Sequence, residues 1–217
     1  MPNPKETQDR ARTRAKKIKL VLLDVDGVMT DGTIFLFPAP GGAQQPLRQH
    51  AEARAGDGGF AIASDSVMEA KGFHAHDGTA MSLAHNAGLK IGIITKRISE
   101  TVRLRARDLK VDYVYQGAHD KLSVFHEILD KEGIGPDEAA YVGDDIIDLP
   151  VMRAVGLSIA VANAREDVKD ESHVITDHRG GEGAVRDAIE FILKAQGKYE
   201  SALAEYIQQR TPSPKED

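Results

Sequence analysis

The sequence predicts an α/β fold in which a three-layer, Rossmann-like arrangement places a parallel β-sheet between helices. Short apolar runs alternate along the chain with segments whose apolar residues recur every three or four positions. Gly88, Gly133 and Gly156 follow helical segments, where glycine commonly ends a helix. Such strand–helix alternation indicates parallel strands joined by right-handed crossovers. With 217 residues, 41% of them hydrophobic, the chain is long enough for one sizeable core.

The individual elements follow from the same two patterns. Short apolar runs predict six strands, at Ile18–Leu23, Lys90–Ile94, Val111–Tyr115, Ala139–Val142, Leu157–Val161 and His173–Ile175. Helical periodicity predicts helices at Thr79–Ala87, Ile98–Leu109, Lys121–Lys131 and Ile147–Val155, and a last helix from about Glu182 past Ala195 toward Gln209.

The segment between the first strand and the first helix breaks this alternation. Phe37–Ser66 is rich in proline, glycine and alanine and has no sustained period. The flanking stretches TIFLF and VMEAKGF predict the two arms of a β-hairpin flap, with an insertion at about residues 38–66. The insertion is interpreted either as a neutral addition or as a flap that covers substrate.

The domain organisation is simple. Residues 1–17 are polar and charge-rich and predict a flexible N-terminal tail. Residues 18–198 are expected to form a single catalytic domain, followed by a C-terminal tail over 199–217.

Composition excludes several classes of protein. The net charge of −6 argues against a general binder of nucleic acid or of an anionic membrane surface. The absence of cysteine excludes disulfides and thiolate chemistry, and the cytoplasm is the expected compartment. A basic run precedes Leu20–Leu23, but this apolar run is too short for a secretory signal, and no window is apolar enough to span a membrane.

Residues that carry chemistry follow four of the predicted strands. In a parallel α/β sheet, ligands bind beyond the carboxyl ends of the strands. The residues found there are Asp24, Asp26 and Gly27, then Thr95, Lys96 and Arg97, then Lys121, and finally Asp144, Asp145 and Asp148. Five carboxylates in one place would repel each other without a cation, which predicts a hard divalent ion with oxygen ligands. Magnesium suits this site best.

Each of these residues alone also has a structural explanation. An aspartate after a strand is more often a helix cap than a catalyst, and a lysine that opens a helix is usually solvated. Their combined placement after four strands favours a functional site.

The motifs resemble those of the haloacid dehalogenase superfamily of phosphotransferases. The matching residues are DVDGV from Asp24, the isolated Thr95 and Lys121, and GDDIID from Gly143. Within that superfamily the chain is most similar to the small phosphatases of the 3-deoxy-D-manno-octulosonate 8-phosphate type. The stretches that carry this similarity are VDGVMTDG, HDGTAM, YQGAHDKL, YVGDDIIDLPVM and GGEGAVRD. The resemblance runs from about Ile18 to about Lys198, apart from the insertion.

This resemblance implies roles for four catalytic residues. Asp24 is the expected nucleophile, which forms an aspartyl-phosphate that water then hydrolyses. Asp26 is expected to protonate the leaving alkoxide and then to deprotonate the water. Thr95 would donate a hydrogen bond to the phosphoryl oxygens, and Lys121 would supply positive charge.

The resemblance also implies a magnesium site. Its expected ligands are Asp24, the backbone carbonyl of Asp26, and Asp144. Asp145 and Asp148 are expected to orient metal-bound water and the catalytic lysine.

Substrate recognition is expected to depend on the residues around the flap. The candidate substrate-binding residues are Gly27, His76, Gly78, Lys96 and Arg97. Family members usually have arginine at the position of His76, glycine at that of Lys96 and arginine at that of Glu182. These three differences leave open whether the substrate is the same sugar acid. His74 and His76 are interpreted as alternating positions on a flap strand, facing substrate or a neighbour, in preference to a second metal site.

No cap domain is expected, because neither interval between the catalytic motifs leaves clear room for one. The resembled family closes its site by forming homotetramers, and the same assembly is predicted here.

The sequence therefore predicts a magnesium-dependent phosphomonoesterase that acts on a small phosphorylated sugar acid, with no nucleic-acid or membrane partner. The preferred substrate is 3-deoxy-D-manno-octulosonate 8-phosphate, which implies a role in lipopolysaccharide biosynthesis. The alternatives are a phosphatase of another sugar phosphate or sialic-type acid phosphate, and a non-catalytic, phosphatase-like module for binding or assembly. A phosphomutase is less favoured, because mutases usually need a cap.

Overall fold

The computed structural model describes residues 4–38, 60–61 and 67–211. Its strands are β1 (Leu20–Leu23), β2 (Phe35–Pro38), β3 (Phe60–Ala61), β4 (Val67–Ala70), β5 (Lys90–Thr95), β6 (Arg97–Ile98), β7 (Tyr113–Gln116), β8 (Ala139–Gly143), β9 (Leu157–Ala160) and β10 (Val174–Ile175). Its α-helices are α1 (Pro4–Ala15), α2 (Ala75–Asn86), α3 (Glu100–Asp108), α4 (Lys121–Glu132), α5 (Leu149–Met152), α6 (Glu166–Asp170), α7 (Ala184–Ala195) and α8 (Tyr199–Gln208). Short 3-10 turns cover Pro136–Glu138 and Ile146–Asp148.

Six parallel strands form the central sheet, in the order β10-β9-β8-β1-β5-β7. Strand β1 lies in the middle, with Leu22 opposite Tyr141 of β8 and Gly92 of β5. All four residues of β1 are completely buried, as expected for a parallel strand covered on both faces. The apolar run of this strand therefore reflects its central position.

Helices cover the sheet in two groups and confirm the predicted α/β fold. Helices α1, α2, α7 and α8 pack on one another, and α4 and α5 form the second group. Within residues 4–38 and 67–211, no separate cap domain is present. Among the described residues, no helix has both the length and the apolar character needed to cross a membrane.

The N-terminal segment differs from the flexible tail predicted over residues 1–17. Residues Pro4–Ala15 form α1, which packs against α7. Ala11 and Ala15 lie one helical turn apart and are both buried, so a narrow stripe of small residues holds a helix that is otherwise charged. The Arg14 guanidinium also donates a hydrogen bond to the Gly156 carbonyl (2.8 Å).

The C-terminal segment also differs from its prediction. Gly197, with a φ of +67°, separates α7 from α8, so the predicted long helix is two helices. Tyr199–Gln208 is helical instead of part of a tail, because α8 packs on α2 and buries Ala202.

The predicted β-hairpin is confirmed. Strands β2 and β4 pair in antiparallel register, with Phe35 opposite Ala70 and Phe37 opposite Met68. Most of the insertion at about residues 38–66 lies outside the described residues. Its described part, Phe60–Ala61, pairs in parallel with Arg97–Ile98, directly after the β5 strand.

Candidate active site

Asp24 lies at the carboxyl end of the central strand. Its backbone N–H donates to the Val142 carbonyl of β8 (3.1 Å), which continues the pairing of β1 beyond its last residue. The residue is only 4% exposed, so its carboxylate needs a partner. The Lys121 ammonium supplies one, at 2.9 Å.

Lys121 joins Asp24 to a second buried carboxylate. It is the first residue of α4. Asp120 caps this helix, because its side chain accepts the N–H of Ser123 (3.0 Å). From this position the Lys121 ammonium reaches Asp148 at 2.8 Å. Lys121 is therefore the cation that these two buried carboxylates share.

Asp148 organises the loop that follows β8. One of its oxygens accepts the Lys121 ammonium and the Tyr141 hydroxyl, the latter at 2.7 Å. Its other oxygen accepts the backbone N–H groups of Asp144 (3.0 Å) and Asp145 (3.3 Å). Asp148 therefore connects Lys121 and Tyr141 to the loop after β8.

The Asp145 carboxylate is held by the backbone that follows it, and its predicted part in orienting metal-bound water stays a prediction. Its side chain accepts the N–H of Ile146 (2.7 Å) and caps the 3-10 turn that begins there. The short turn directs this carboxylate back to its own backbone, and no contact with Lys121 is observed.

Gly27 allows Asp144 to approach the loop that follows β1. Its φ of +92° is a conformation that L-residues with a side chain rarely adopt. A Cβ atom at this position would lie 2.6 Å from the Asp144 carboxylate carbon. Gly27 is thus required for the shape of the acidic cluster.

Three carboxylates are close enough to share a cation. One oxygen from each of Asp24, Asp144 and Asp148 lies within 4.8 Å of the others. Asp148 is occupied by the hydrogen bonds described above, which leaves Asp24 and Asp144 as the candidate side-chain ligands of an ion. Carboxylate oxygens gathered in this way fit a magnesium ion.

The electrostatics of the cluster favour the binding of a cation. Burial raises the pKa of Asp24 to about 7, although Lys121 opposes the shift. Burial and the charges of Asp24 and Asp148 raise the pKa of Asp144 to about 8. Burial disfavours the charged form of Lys121, but its two carboxylate partners hold its pKa above the usual range. A divalent cation would relieve the repulsion that produces the two raised carboxylate pKa values.

Thr95 lies on the neighbouring strand, at the same edge of the sheet. It is the last residue of β5 and is 2% exposed. Its carbonyl accepts the N–H of Ala118 (3.0 Å), which anchors the loop that leads to α4. The topology thus brings Thr95, Lys121 and Asp24 to one edge.

The Asp26 carboxylate lies against the hairpin. It forms an ion pair with Lys71, which follows β4, and lies 3.6 Å from the Arg97 guanidinium. Both cations also reach Glu69, Lys71 at 3.7 Å and Arg97 at 3.3 Å. The sequence analysis did not select Lys71 or Glu69, although strand alternation in VMEAKGF places the two on the same face.

Tyr141 is a further residue of the site that was not predicted from the sequence. Its ring is completely buried in β8, and burial raises the pKa of its hydroxyl well above the usual range. A tyrosine in the apolar run AAYVG was a usable signal, because a buried hydroxyl requires a hydrogen-bond partner. That partner is Asp148.

The remaining substrate-binding candidates have varied environments. Gly78 is buried in α2, where an added Cβ would lie 2.8 Å from Arg105 and 2.9 Å from Leu109. The absence of a side chain at Gly78 therefore allows α2 to approach Arg105 and Leu109 closely, and its role in substrate binding stays a prediction. Lys96 is partly exposed directly after Thr95.

The histidine pair is not on a flap strand. The strand ends at Ala70, His74 is the N-cap of α2, and His76 is exposed in its first turn. The two rings contact edge to face, with 4.8 Å between centroids. Asp77 lies in the first turn of α2, and its carboxylate accepts the N–H of Arg186 at the beginning of α7 (2.9 Å), which joins the two helices.

Glu182 is exposed on a loop that packs against the catalytic loop. The N–H of Gly181 donates to the Val28 carbonyl (3.1 Å), and an added Cβ on Gly180 would overlap the Gly27 carbonyl. The stretch GGEG thus lies beside the residues that follow Asp26.

Comparisons of the sequence identify similar proteins. Residues 110–189 match the family model of haloacid dehalogenase-like hydrolases. The 3-deoxy-D-manno-octulosonate 8-phosphate phosphatase of Salmonella typhi is 36% identical over 195 residues, covering 90% of this chain and 89% of that enzyme. The phosphatase of the same name from Escherichia coli K12 is 36% identical over 194 residues, covering 89% of each chain.

Solved structures agree with the sequence comparisons. The 3-deoxy-D-manno-octulosonate 8-phosphate phosphatase of Yersinia pestis superimposes with a TM-score of 0.74 and 35% identity, covering 88% of this chain and 89% of that one. The enzyme of that name from Moraxella catarrhalis has a TM-score of 0.75 and 33% identity, covering 91% of this chain and 98% of that one. The latter structure is a complex with a magnesium ion, a phosphate ion and a KDO molecule.

Proposed function

Because this chain belongs to the haloacid dehalogenase-like hydrolases, in the family of the 3-deoxy-D-manno-octulosonate 8-phosphate phosphatases, we propose that it hydrolyses 3-deoxy-D-manno-octulosonate 8-phosphate in a magnesium-dependent reaction. The observation that carries this proposal is the buried Asp24 carboxylate, which lies 2.9 Å from Lys121 and within 4.8 Å of the Asp144 and Asp148 oxygens. A nucleophile, a cation and a metal-type cluster thus occupy one edge of the sheet.

Asp24, Asp144 and the backbone carbonyl of Asp26 are proposed to hold the magnesium ion. When bound, the ion would neutralise charge on the phosphoryl group and on the two carboxylates. Magnesium prefers carboxylate oxygens and retains water ligands, which suits a cluster with only two side-chain ligands.

The first chemical step is proposed to transfer the phosphoryl group to Asp24. A carboxylate oxygen of Asp24 forms a bond to phosphorus as the ester P–O bond breaks, which gives an aspartyl-phosphate. Asp26 donates its proton to the departing alkoxide, so that a neutral alcohol leaves. The Thr95 hydroxyl and the Lys121 ammonium stabilise the equatorial phosphoryl oxygens.

The second step is proposed to be hydrolysis of the aspartyl-phosphate. Asp26, now ionised, accepts a proton from water as the water oxygen forms a bond to phosphorus. The bond between phosphorus and Asp24 then breaks, which releases inorganic phosphate and restores both aspartates. Lys121 remains charged throughout, because Asp24 and Asp148 raise its pKa against the effect of burial.

A phosphate-release assay with magnesium tests this function. We expect the wild type to hydrolyse 3-deoxy-D-manno-octulosonate 8-phosphate far faster than an aryl phosphate, and Asp24→Asn to abolish release from both. Asp130→Asn, on the exposed face of α4, is a matched control that should retain wild-type activity. Residual turnover in Asp24→Asn comparable to the wild type would contradict the assignment of the nucleophile.

The substrate itself is tested by extending the same assay. His76, Lys96 and Glu182 differ from the usual family residues, and Glu182 lies on the loop against Gly27, which keeps a different sugar-acid phosphate as the second candidate. Faster turnover of a nine-carbon sialic-type acid phosphate would favour that candidate. An idle binding module would release no phosphate from any substrate.

The exposed hairpin supports a proposed homotetramer. Phe35, Leu36, Phe37 and Met68 are each between 46% and 53% exposed, although all are large apolar residues. Strand alternation places Phe35, Phe37 and Met68 on one face of the hairpin and Leu36 on the other. Exposed apolar residues grouped in this way commonly mark a protein–protein interface. We expect light scattering to give a tetrameric mass and Phe37→Ser to lower it; a monomeric wild type would contradict the assembly. The cytoplasm is the proposed compartment, as expected for a cysteine-free sequence.

A further inference from the structure

Four charged side chains form a closed ring between the hairpin and the catalytic loops. Lys71 contacts Asp26 and lies 3.7 Å from Glu69, and Arg97 lies 3.3 Å from Glu69 and 3.6 Å from Asp26. The ring contains two carboxylates and two cations that alternate in space. Each cation therefore contacts both carboxylates, and the formal charges cancel when Asp26 is ionised, the form that accepts a proton from water in the second proposed step.

The ring is shielded from water mainly at the lysine. The Lys71 side chain is completely buried and that of Glu69 is 9% exposed, whereas Asp26 and Arg97 are 22% and 25% exposed. A lysine ammonium is stable in such a place only if anions accompany it. Asp26 and Glu69 are those anions, so the burial of Lys71 and the orientation of the Asp26 carboxylate depend on each other.

Glu69 has further contacts that hold the ring to the body of the protein. Its carboxylate accepts the Ser99 hydroxyl (2.6 Å), and its backbone carbonyl accepts the Thr101 hydroxyl (3.1 Å). Ser99 is the N-cap of α3, so Glu69 attaches the hairpin arm to the beginning of that helix. The hairpin is thereby held beside the loop that follows Thr95.

From this geometry we propose that Lys71 is a positioning residue, which holds the Asp26 side chain in the orientation needed to give its proton to the leaving alkoxide, and that Glu69 keeps Lys71 in place. The inference rests on the proposed function, since it assigns a partner to its acid–base residue. It also gives the hairpin a part in catalysis, because Lys71 directly follows β4.

The proposed role of Lys71 predicts that the loss of activity on its removal depends on the leaving group of the substrate. An alkyl alcohol is a poor leaving group and needs a proton from Asp26, whereas 4-nitrophenolate leaves without one. A misplaced Asp26 should therefore slow the cleavage of an alkyl phosphate more than that of an aryl phosphate. The ratio kcat/KM reports this difference, because it covers only the steps up to release of the alcohol.

The experiment compares Lys71→Met with the wild type on glycerol phosphate, 4-nitrophenyl phosphate and 3-deoxy-D-manno-octulosonate 8-phosphate. We expect kcat/KM for both alkyl phosphates to fall at least tenfold more than that for the aryl phosphate, within the range of a general-acid contribution. Glu69→Gln retains an acceptor for Ser99 but loses the charge. It should also lower kcat/KM for the alkyl phosphates more than for the aryl phosphate, but by a smaller factor than Lys71→Met. It also provides the test if Lys71→Met does not fold.

Lys90→Met is the matched control. Lys90 also pairs with an aspartate, Asp112 at 2.9 Å, but at the opposite end of β5. This variant should leave the ratio of kcat/KM for alkyl phosphates to that for the aryl phosphate unchanged. Lys71→Arg retains a cation and should therefore lower this ratio less than Lys71→Met does.

Several outcomes would overturn the inference. An equal fall for all three substrates would indicate a purely structural role, and a fall confined to the sugar acid would show that Lys71 binds the substrate carboxylate. Unchanged kinetics in both Lys71→Met and Glu69→Gln would also refute it. If the wild type released no phosphate from any substrate, the proposed function itself would fail.

Discussion

A methyl group on Gly27 would lie 2.6 Å from the carboxylate carbon of Asp144, although the two residues follow different strands. Gly27 belongs to the loop after β1, and Asp144 directly follows β8, its neighbour in the sheet. The absence of a side chain at Gly27 thus determines how closely the Asp144 carboxylate approaches Asp24. This relationship connects a backbone requirement to the chemistry of the site.

Replacing Gly27 by alanine should therefore impair magnesium binding and catalysis. The added Cβ displaces the Asp144 carboxylate from the cluster, and such disturbances of metal ligands typically reduce affinity or activity by roughly 10–100-fold. Magnesium titration of phosphate release would measure the change. Activation at the wild-type magnesium concentration would contradict the expected displacement.

Gly88→Ala separates backbone strain from this contact. Gly88 has a similar φ of +79°, but an added Cβ there has nothing within 4 Å. Both variants should lose about 1 kcal/mol of stability from the positive φ. Only Gly27→Ala should lose magnesium-dependent activity.

Removing the Lys121 ammonium should strongly destabilise the metal-free protein. Lys121→Met leaves the buried Asp24 and Asp148 carboxylates without their shared cation. Breaking a buried ion pair in this way costs about 3–5 kcal/mol. Urea unfolding at neutral pH, with chelator present, measures this loss.

Lys131→Met provides the control for that experiment. Lys131 pairs with Glu127 at 2.7 Å on the exposed surface of α4, where solvent screens the charges and such pairs contribute little to stability. Equal losses in the two variants would show that burial of the Lys121 pair has no special effect.

Magnesium should stabilise the protein against unfolding more at alkaline pH than at acidic pH. Because the pKa values of Asp24 and Asp144 are raised to about 7 and about 8, the folded metal-free protein binds more protons than the unfolded chain. Its free energy of unfolding should therefore fall as the pH rises through this range. Magnesium binds the ionised carboxylates and should offset that fall.

Thermal unfolding with magnesium or chelator, at about pH 5.5 and about pH 8.5, measures this effect. At a magnesium concentration tenfold above Kd, the stabilisation should reach roughly 1.4 kcal/mol at the higher pH. Asp144→Asn should reduce it at both pH values. Equal protection of the wild type at both pH values would argue against a cluster with raised pKa values.

Replacing Asp77 by asparagine should make stability less dependent on pH. Burial raises the pKa of Asp77 to about 6, and one of its oxygens is buried without a hydrogen-bond partner. The stability associated with the protonated form is complete below about pH 4 and is lost as the pH rises through 6, a difference of about 3 kcal/mol. Asparagine retains the acceptor for the Arg186 N–H and does not ionise.

Urea unfolding at about pH 4.5 and about pH 7.5 should show a smaller decrease in Asp77→Asn than in the wild type. Asp137→Asn, whose exposed carboxylate pairs with Lys17, should retain the wild-type decrease. A wild-type decrease in Asp77→Asn would mean that other groups cause the pH dependence.

Local patterns in the sequence predicted most of the fold and the edge of the sheet where the candidate site lies. The run Leu20–Leu23 predicted a buried parallel strand, because such a strand is covered on both faces. The residues after four strands predicted a common edge, where Asp24, Thr95 and Lys121 indeed lie. The helix over Pro4–Ala15 escaped prediction, because only two small alanines mark its buried face.

Only the tertiary structure decided which partner each charged group has. Asp26 and Lys71 are 45 positions apart, and their contact depends on how the hairpin folds back onto the catalytic loop. The separate roles of Asp145 and Asp148 depend on a 3-10 turn, which directs one carboxylate to its own backbone and the other to Lys121. Periodicity records which face of an element is buried, whereas an ion pair depends on the distance between side chains from different elements, and that distance is set by packing.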